Sequence, residues 1–590
     1  MKDFMKYTLA TIVGSILFSV VMVVVIIISF AGIAASENMS SPIEEKSILR
    51  INLQGTIEER TSETPFSLSM LSGDELSIIG LDEALTALEK AATNDNIVGI
   101  YLKGGALSAT PAMTEELRNA LLKFKESGKW ILAYGDTYSK SAYYLCSVAD
   151  RVMLNPEGML DWSGMASSPM FFKDVLEKIG VKMQVFKVGT YKSAVEPFTN
   201  TEMSEANREQ VTSYLTSIWK NMLDDVAASR GIETNVLNAL ADSLTLLAPS
   251  SASIEGRLVD TLCYISDVKN ILKEKAEVDD GESLKFVSLK NVAKSETLQE
   301  KITEEIAIYY AYGDIVESAN GSLSQDHQIA SNEVVKDLQD LRENDDVKAV
   351  VIRVNSGGGS AYASEQIWHE VELLKAEKPV VISMGGMAAS GGYYISCGAN
   401  EIFAEPTTLT GSIGIFGMIP DASELLTQKI GLKFDVVKTN ALSDFGSMGR
   451  PFNATECQLM QSHVNKGYEL FTRRVAEGRN MPQDDVKAIA EGRVWTGEQA
   501  LGIGLVDKLG DLTDAIASAA QLAELEKYSI GRYPAPAPWF QTLLDDQKGS
   551  YLESEMRTFL GEYYTTFSLI RTLGKQSPIQ ARIPFDPNIR

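Results

Sequence analysis

Ser390 stands in a run of small residues that could expose a reactive hydroxyl. The sequence around it reads Met387-Ala-Ala-Ser-Gly-Gly-Tyr-Tyr394 and follows an apolar stretch that is typical of a buried strand. A serine at a tight strand-to-helix junction has a free backbone N–H beside it, here that of Gly391, and the amino end of a helix stabilises negative charge. These features favour a serine nucleophile, although a Gly-Ser-Gly cluster alone is more often a simple turn.

A second glycine-rich stretch, Asn355-Ser-Gly-Gly-Gly-Ser360, follows another apolar run. Glycines at the end of a strand let backbone N–H groups point inward, as an oxyanion hole requires. The stretch lacks the Lys-Ser/Thr ending of a phosphate-binding loop and the spacing of a dinucleotide fingerprint. An oxyanion loop is therefore favoured over phosphate binding, with a flexible turn as the alternative.

The base that would activate this serine is not an obvious histidine. The chain contains only three, His327, His369 and His463, and none belongs to a recognisable triad. A lysine made neutral by burial is the alternative base. Lys192 is the strongest candidate, because it follows an apolar run and precedes a proline-fixed turn in Gly189-Thr-Tyr-Lys-Ser-Ala-Val-Glu-Pro197.

The elements that would position these residues occur twice along the chain. Six ordered matches at nearly one offset indicate a tandem duplication. They pair 98–103 with 349–354, 131–135 with 381–385, 141–146 with 391–396, 152–156 with 402–406, 179–182 with 430–433, and 258–260 with 505–507. Each copy alternates short apolar runs with amphipathic stretches, which predicts βαβ units, a mainly parallel sheet and an α/β fold.

The two copies differ at the reactive positions. Where the second copy has Ser390, the first has Lys140 among bulky neighbours, and where the first has Lys192, the second has Ser443. Each copy has kept one half of a candidate pair. We therefore predict that the two half-sites converge in the fold.

The amino end predicts a single transmembrane helix. Residues 7–36 contain no charged side chain, and a helix of that length would span about 45 Å, more than the roughly 30 Å hydrocarbon core. A cleaved signal peptide is the alternative, but its apolar region is normally only about 7–15 residues long. Lysines before the span and glutamates after it predict that the bulk of the chain lies outside the cytoplasm.

Composition excludes several functional classes. The balance of 54 Lys+Arg against 79 Asp+Glu gives a net charge of −25, which argues against nucleic-acid binding. The 4 cysteines lie far apart without a CxxC pair, so a zinc ribbon and a dense disulfide scaffold are both disfavoured. Because no metal cluster or cofactor loop emerges, we predict neither a metal nor a cofactor.

Five stretches in order closely resemble the long form of the bacterial signal peptide peptidase A family: 191–198, 355–360, 387–394, 409–417 and 492–497. The resemblance covers most of the chain after the anchor. It implies tandem crotonase-like, or Clp-protease-like, domains that form a Ser/Lys-dyad serine endopeptidase. It further implies cleaved signal peptides and other hydrophobic peptides as substrates, and a bowl-shaped homotetramer on the periplasmic side of the inner membrane.

The same resemblance assigns site residues. It implies Ser390 as nucleophile and Lys192 as general base. The N–H groups of Gly358 and Gly391 would be the oxyanion donors, and Ser412 would hydrogen-bond the lysine amine.

One residue departs from the family pattern. The family usually has proline in the Asn-Ser-Pro-Gly-Gly loop, where this chain has Gly357. Glycine leaves the turn freer, so a preformed oxyanion hole is less secure. We expect the hole to close when substrate binds.

The predicted organisation has four parts. A cytoplasmic amino end, anchor and short linker cover 1–46, and the lysine-bearing domain covers 47–300. The charge-rich stretch around 274–303 is predicted to link the two copies. The serine-bearing domain covers 301–530, and a tail with a helical pattern over 551–567 covers 531–590. Two alternatives share the fold: a catalytically decayed membrane-tethered scaffold, and an acyl-CoA hydratase or thioesterase, which an extracytoplasmic location disfavours.

Overall fold

The computed structural model describes residues 42–61, 78–243, 245–279, 281–295, 302–319, 327–535 and 579–582, together with parts of a helix between residues 6 and 22. No helix among these residues is both long enough and apolar enough to cross a membrane. The anchor predicted over 7–36 lies largely outside the described residues, and the helical pattern over 551–567 lies wholly outside them.

Six parallel strands form the main sheet of the first copy. Its central strands are buried along most of their length, as expected when helices cover both faces of a parallel sheet. From one edge to the other the strands are Lys285–Val287, Ser47–Asn52, Ile97–Lys103, Trp130–Tyr138, Arg151–Leu160 and Thr261–Leu262.

The second copy repeats this sheet strand for strand. Six parallel strands follow in the order Ser529–Tyr533, Glu305–Tyr312, Val347–Ser356, Val380–Ala389, Glu401–Ala404 and Lys508–Leu509. Two short strands, Leu409–Gly411 and Val494–Thr496, extend the sheet beside the end of Val380–Ala389. The shared strand order confirms the predicted duplication and the mainly parallel α/β fold.

The linker predicted over 274–303 is wrong in part. Lys285–Val287 is the edge strand of the first sheet and pairs in parallel with Ser47–Asn52. Leu289–Ala293 is a helix whose Val292 is fully buried. An edge strand pairs on one side only and carries many polar residues, so its composition resembles that of a linker.

Helices cover both sheets. The two longest, Glu205–Arg230 and Ala454–Arg479, each begin after a residue whose side chain accepts a hydrogen bond from a backbone N–H of the first turn, Ser204 and Asn453 respectively. The sequence predicts them over 205–230 and 455–477.

The other described α-helices of the first copy are Leu81–Thr93, Pro111–Lys125, Lys140–Cys146, Lys173–Ile179, Glu196–Thr199, Thr234–Ala241, Ser250–Glu255, Ile265–Lys275 and Leu289–Ala293. Those of the second copy are Ser331–Glu343, Ala361–Glu377, Gly391–Ser396, Gln483–Ile489, Gly497–Gly502 and Leu512–Leu522.

A smaller sheet joins the two copies. The strand Lys182–Lys187 of the first copy pairs antiparallel with Phe416–Asp421 of the second. The whole sheet runs in the order Gln328–Ala330, Asp314–Val316, Gly358–Ser360, Ile579–Arg582, Phe416–Asp421 and Lys182–Lys187. A three-stranded sheet of Ile78–Gly80, Gly55–Glu58 and Leu107–Ser108 lies in the first copy.

The copies also share an interior. The hydrophobic core of the first copy includes Met387, Ala389 and Leu409 of the second. These residues lie at the end of the strand Val380–Ala389 and on the short strand beside it. The junction between the copies therefore lies next to Ser390.

Candidate active site

Ser390 occupies a sharp turn between a strand and a helix. The strand Val380–Ala389 ends one residue before it, and the helix Gly391–Ser396 begins one residue after it. Its backbone angles are φ 56° and ψ −111°, a conformation that L residues rarely adopt and that proteins tolerate mainly at functional sites. The Ser390 N–H donates to the carbonyl of Gly411 at 2.8 Å, which holds the strained turn in place.

Lys192 reaches the second copy on a turn that follows the strand Lys182–Lys187. This strand is aligned by its pairing with Phe416–Asp421. Beyond it, the N–H of Tyr191 donates to the carbonyl of Glu491 at 2.9 Å, so the turn is bonded to the second copy as well. The Lys192 side chain is completely buried.

The two half-sites meet at the amine. Lys192 Nζ lies 2.7 Å from Ser390 Oγ, 3.0 Å from the carbonyl oxygen of Ser412 and 3.1 Å from Ser412 Oγ. Ser412 Oγ in turn donates to the carbonyl of Gly492 at 3.2 Å. The predicted convergence of the two copies is therefore present, and Ser412 contacts the amine twice.

The surroundings favour the neutral form of this amine. Burial lowers the pKa of Lys192 well below its ordinary value near 10.5, because a charged ammonium loses its hydration there. A neutral amine has two N–H donors and one lone pair. Ser412 offers two acceptors for the donors, which leaves the lone pair for the Ser390 hydroxyl proton.

The glycine-rich loop lies beside the serine. Gly358 has φ 100°, which favours glycine, and a Cβ added to it would lie 2.7 Å from the Gly391 nitrogen. Its own N–H donates to Ser356 Oγ at 3.1 Å. The two glycines predicted as oxyanion donors are thus adjacent, but the Gly358 amide is engaged within its own loop.

The counterpart positions lie apart from this cluster. Lys140, at the place of Ser390 in the first copy, is half-buried, and its Nζ donates to the carbonyl of Gly164 at 2.6 Å. Ser443, at the place of Lys192 in the second copy, is exposed. The chain therefore brings together one dyad, composed of one residue from each copy.

The three histidines, His327, His369 and His463, are all exposed. Ser390, by contrast, is completely buried. Among the described residues, the side chain that hydrogen-bonds Ser390 Oγ is Lys192, so the buried lysine is the candidate base in contact with this serine.

Sequence reasoning missed residues that hold the lysine turn. Gln210 Nε2 donates to the Tyr191 carbonyl and to Ser193 Oγ, both at 3.0 Å, while its Oε1 accepts from the Val494 N–H at 3.1 Å. Gly492 has φ 78° and packs directly against the Lys192 backbone. Gly492 falls in the family-like stretch 492–497, but Gln210 lies mid-helix, with no local signal of its role.

Comparison with known proteins shows the family. The model of peptidase family S49 matches residues 123–279 and 372–526, once in each copy. The Clp protease model matches residues 308–409, which include the central strands of the second sheet.

Three relatives extend the match along most of the chain. "Protease 4" of Salmonella typhi is 38% identical over 81% of this chain and 78% of its own length. "Protease 4" of Haemophilus influenzae is 31% identical over 95% of this chain and 91% of its own. The chloroplastic serine protease SPPA of Arabidopsis thaliana is 32% identical over 82% of this chain and 70% of its own. The chain therefore belongs to peptidase family S49 and is a serine protease of the long bacterial SppA type.

Proposed function

We propose that this chain is a membrane-anchored endopeptidase that degrades cleaved signal peptides and other hydrophobic peptides through a Ser390–Lys192 dyad. The single observation that carries the proposal is the 2.7 Å approach of a fully buried Lys192 amine to the Ser390 hydroxyl. The amine can act as a base only when it is neutral, and its burial supplies that condition.

The reaction proceeds through an acyl-enzyme. Neutral Lys192 takes the proton of Ser390 as Oγ attacks the scissile carbonyl. The resulting ammonium then protonates the leaving amine, and the carbonyl is left as an ester on Ser390. Water, deprotonated by the same lysine, attacks the ester. The ammonium then returns this proton to Ser390 Oγ as the acid product leaves, which restores the neutral amine and the hydroxyl. Ser412 holds the amine through both steps.

The oxyanion of each tetrahedral intermediate would lie against Gly358 and Gly391. A preformed N–H donor at such a position contributes roughly 3–4 kcal/mol. To reach the oxyanion, the Gly358 N–H must break its hydrogen bond to Ser356 Oγ. The loop is free to make this change because Gly357 replaces the usual proline. We propose that substrate binding drives this exchange.

The substrate would bind as an extended strand. The strands Gly358–Ser360 and Phe416–Asp421 lie on either side of a position that takes an antiparallel strand next to Ser390. Main-chain pairing of this kind binds peptides with little regard to side chains, which suits a broad set of hydrophobic peptides.

The membrane anchor, the periplasmic location and the predicted domain limits belong to the same proposal. The anchor and its orientation are supported by the uncharged stretch 7–36 and by Lys2 and Lys6, which precede it. The division into two domains is supported by the strand order that the two main sheets share. A membrane-anchored protease would meet signal peptides where they are released.

We also propose a homotetramer. The second-copy stretch after residue 430 corresponds to the first-copy strand that crosses to Phe416–Asp421, yet its side chains Phe434, Val436 and Val437 are exposed, Val437 by 98%. Exposed apolar patches of this kind mark interaction surfaces. Sedimentation of the full chain should give a tetramer, and Val437→Asp should lower the mass; a monomer in both would contradict the assembly.

The proposed function is tested by digestion of a hydrophobic peptide library. Full-length protein in detergent should cleave signal-peptide sequences, whereas Ser390→Ala should leave them intact. Ser443→Ala, which changes an exposed serine, is the matched control and should cleave at the wild-type rate. Preference for charged, soluble peptides over hydrophobic ones would contradict the substrate assignment.

A further inference from the structure

A strand from the carboxyl end of the chain occupies the peptide position beside Ser390. Ile579–Arg582 lies between Gly358–Ser360 and Phe416–Asp421 and is antiparallel to both. On one side it pairs with Gly358–Ser360, which carries the proposed oxyanion donor Gly358. On the other side it pairs with Phe416–Asp421, whose other neighbour is the strand that leads to Lys192. This is the geometry expected of a bound substrate.

The strand is seated deeply. Ala581 is completely buried, and Gln580 is 7% exposed. The Ala581 carbonyl oxygen lies so close to Gly358 that a Cβ on this glycine would overlap it, and a Cβ on Gly391 would lie 3.0 Å from it. A peptide carbonyl of the chain itself therefore lies against both glycines of the proposed oxyanion site.

An ion pair lies at the end of the strand. Arg582 Nη2 lies 2.9 Å from Asp314 Oδ1, with both side chains partly exposed. A pair of this kind is worth little on its own. The backbone pairing and the buried Ala581 hold the strand and set its register, and the ion pair adds a small contribution at its end.

We propose that Ile579–Arg582 is an intramolecular competitive inhibitor, so that a peptide substrate must displace it to reach Ser390. This inference rests on the proposed function, because it takes the same groove as the substrate site. A segment carried on the same chain competes at an effective concentration of about millimolar order. Weakly binding peptides are then excluded, while long hydrophobic peptides that bind more tightly gain access.

The inhibitor assignment predicts a change in KM without a change in kcat. In the full-length protein, Ala581→Asp places a carboxylate at a completely buried position and should expel the strand. The KM for a fluorogenic hydrophobic peptide should then fall, by about tenfold if the groove is 90% occupied in the wild type. The kcat should stay within about twofold, because the dyad is untouched.

Two further variants make the result interpretable. Ala535→Asp introduces the same charge at an exposed position and should leave both constants unchanged. Arg582→Ala removes only the ion pair and should lower KM by a smaller factor than Ala581→Asp does. Because this substitution is on a partly exposed side chain, it tests the proposal even if Ala581→Asp folds poorly.

Competition in trans completes the test. A synthetic peptide with the sequence of residues 577–584 should raise the KM of Arg582→Ala and of Ala581→Asp without lowering kcat. An unchanged KM in both variants, with no competition by the peptide, would overturn the inhibitor assignment while normal turnover upheld the proposed function. Absence of turnover and of Ser390 labelling by a fluorophosphonate in every variant would overturn both.

Discussion

At the scale of single residues, the chemistry depends on keeping one lysine neutral. Because burial lowers the pKa of Lys192 well below 10.5, the protonated fraction falls as the pH rises through that lowered value. The proton-accepting form is therefore lost on the acid side, so kcat/KM should rise with pH to a plateau reached well before pH 10.5. Initial rates on a fluorogenic peptide between pH 5 and 10 measure this profile. A midpoint at the ordinary lysine pKa would contradict the assignment.

Ser412 is the residue that positions the amine. Ser412→Ala removes one of the two acceptors that it offers to Lys192 Nζ but keeps the backbone carbonyl at 3.0 Å. Misplacement of the amine should lower kcat by about tenfold to a hundredfold with little change in KM. Steady-state kinetics of Ser412→Ala beside the exposed control Ser443→Ala provide the measurement. Equal kcat values for the two variants would show that Ser412 does not position the amine.

The reactive pair could be predicted from sequence because the duplication supplies an internal comparison. Ser390 and Lys192 each stand where the other copy has a different residue, and the repeat implies that equivalent positions share an environment. Gln210 and Ala581 could not be predicted, because their roles depend on tertiary contacts: Gln210 bonds a turn 17 to 19 positions away and the distant Val494, and Ala581 pairs with the distant Gly359. No local pattern encodes such contacts.

At the scale of elements, buried charges attach the second copy's central strand to the first copy. Arg353, on the strand Val347–Ser356, lies 2.9 Å from a Glu59 oxygen and 2.6 Å from a Glu116 oxygen. All three side chains are almost completely buried. Neither carboxylate comes from the copy that carries the arginine, so this network fixes how the two sheets meet.

Removal of Arg353 should be strongly destabilising. Arg353→Met leaves two buried carboxylates without their cation, at a cost of about 3–5 kcal/mol in the free energy of unfolding. Arg342→Met breaks the more exposed pairs with Glu370 and Glu377 and should cost about 1 kcal/mol or less. Thermal unfolding of both variants gives the comparison. Similar losses would mean that the buried network does not hold the copies together.

Element prediction succeeded where periodicity was strong and failed at sheet edges. The helix Glu205–Arg230 coincides with its predicted bounds, and the long Ala454–Arg479 exceeds its prediction by one residue at the start and two at the end. Lys285–Val287 was hidden in a polar stretch, and Ser529–Tyr533 crosses the boundary predicted between 530 and 531. Short edge strands pair with distant partners, so their own sequence carries little periodic signal.

At the scale of the whole molecule, the interface between the copies buries acidic side chains. Their burial makes the folded state less stable as the pH rises. Burial raises the pKa of Glu405 well above its ordinary range, and the nearby carboxylates of Glu115 and Glu116 raise it further. Glu115 is itself buried, and its carboxylate accepts hydrogen bonds from Thr407. The folded state therefore holds a proton on Glu405 that the unfolded chain releases above about pH 4.3.

Glu405→Gln should stabilise the protein as the pH rises. With a raised pKa in the folded state, the stability of the wild type is fully present below about pH 4.3 and declines as the pH rises. The amide stays neutral, so the Tm of Glu405→Gln should match the wild type near pH 4.5 and exceed it increasingly toward pH 8. Glu469→Gln, an exposed position, is the control. A Tm difference that does not grow with pH would contradict a protonated Glu405.

The most direct test of the central claim is covalent labelling of the serine by a fluorophosphonate, with the site located by peptide mass spectrometry. We predict labelling at Ser390, at a rate that rises with pH through one ionisation. In Lys192→Met the rate should fall by about a hundredfold or more and lose this pH dependence. Labelling of Lys192→Met at the wild-type rate and with the same pH profile would contradict a lysine-activated serine.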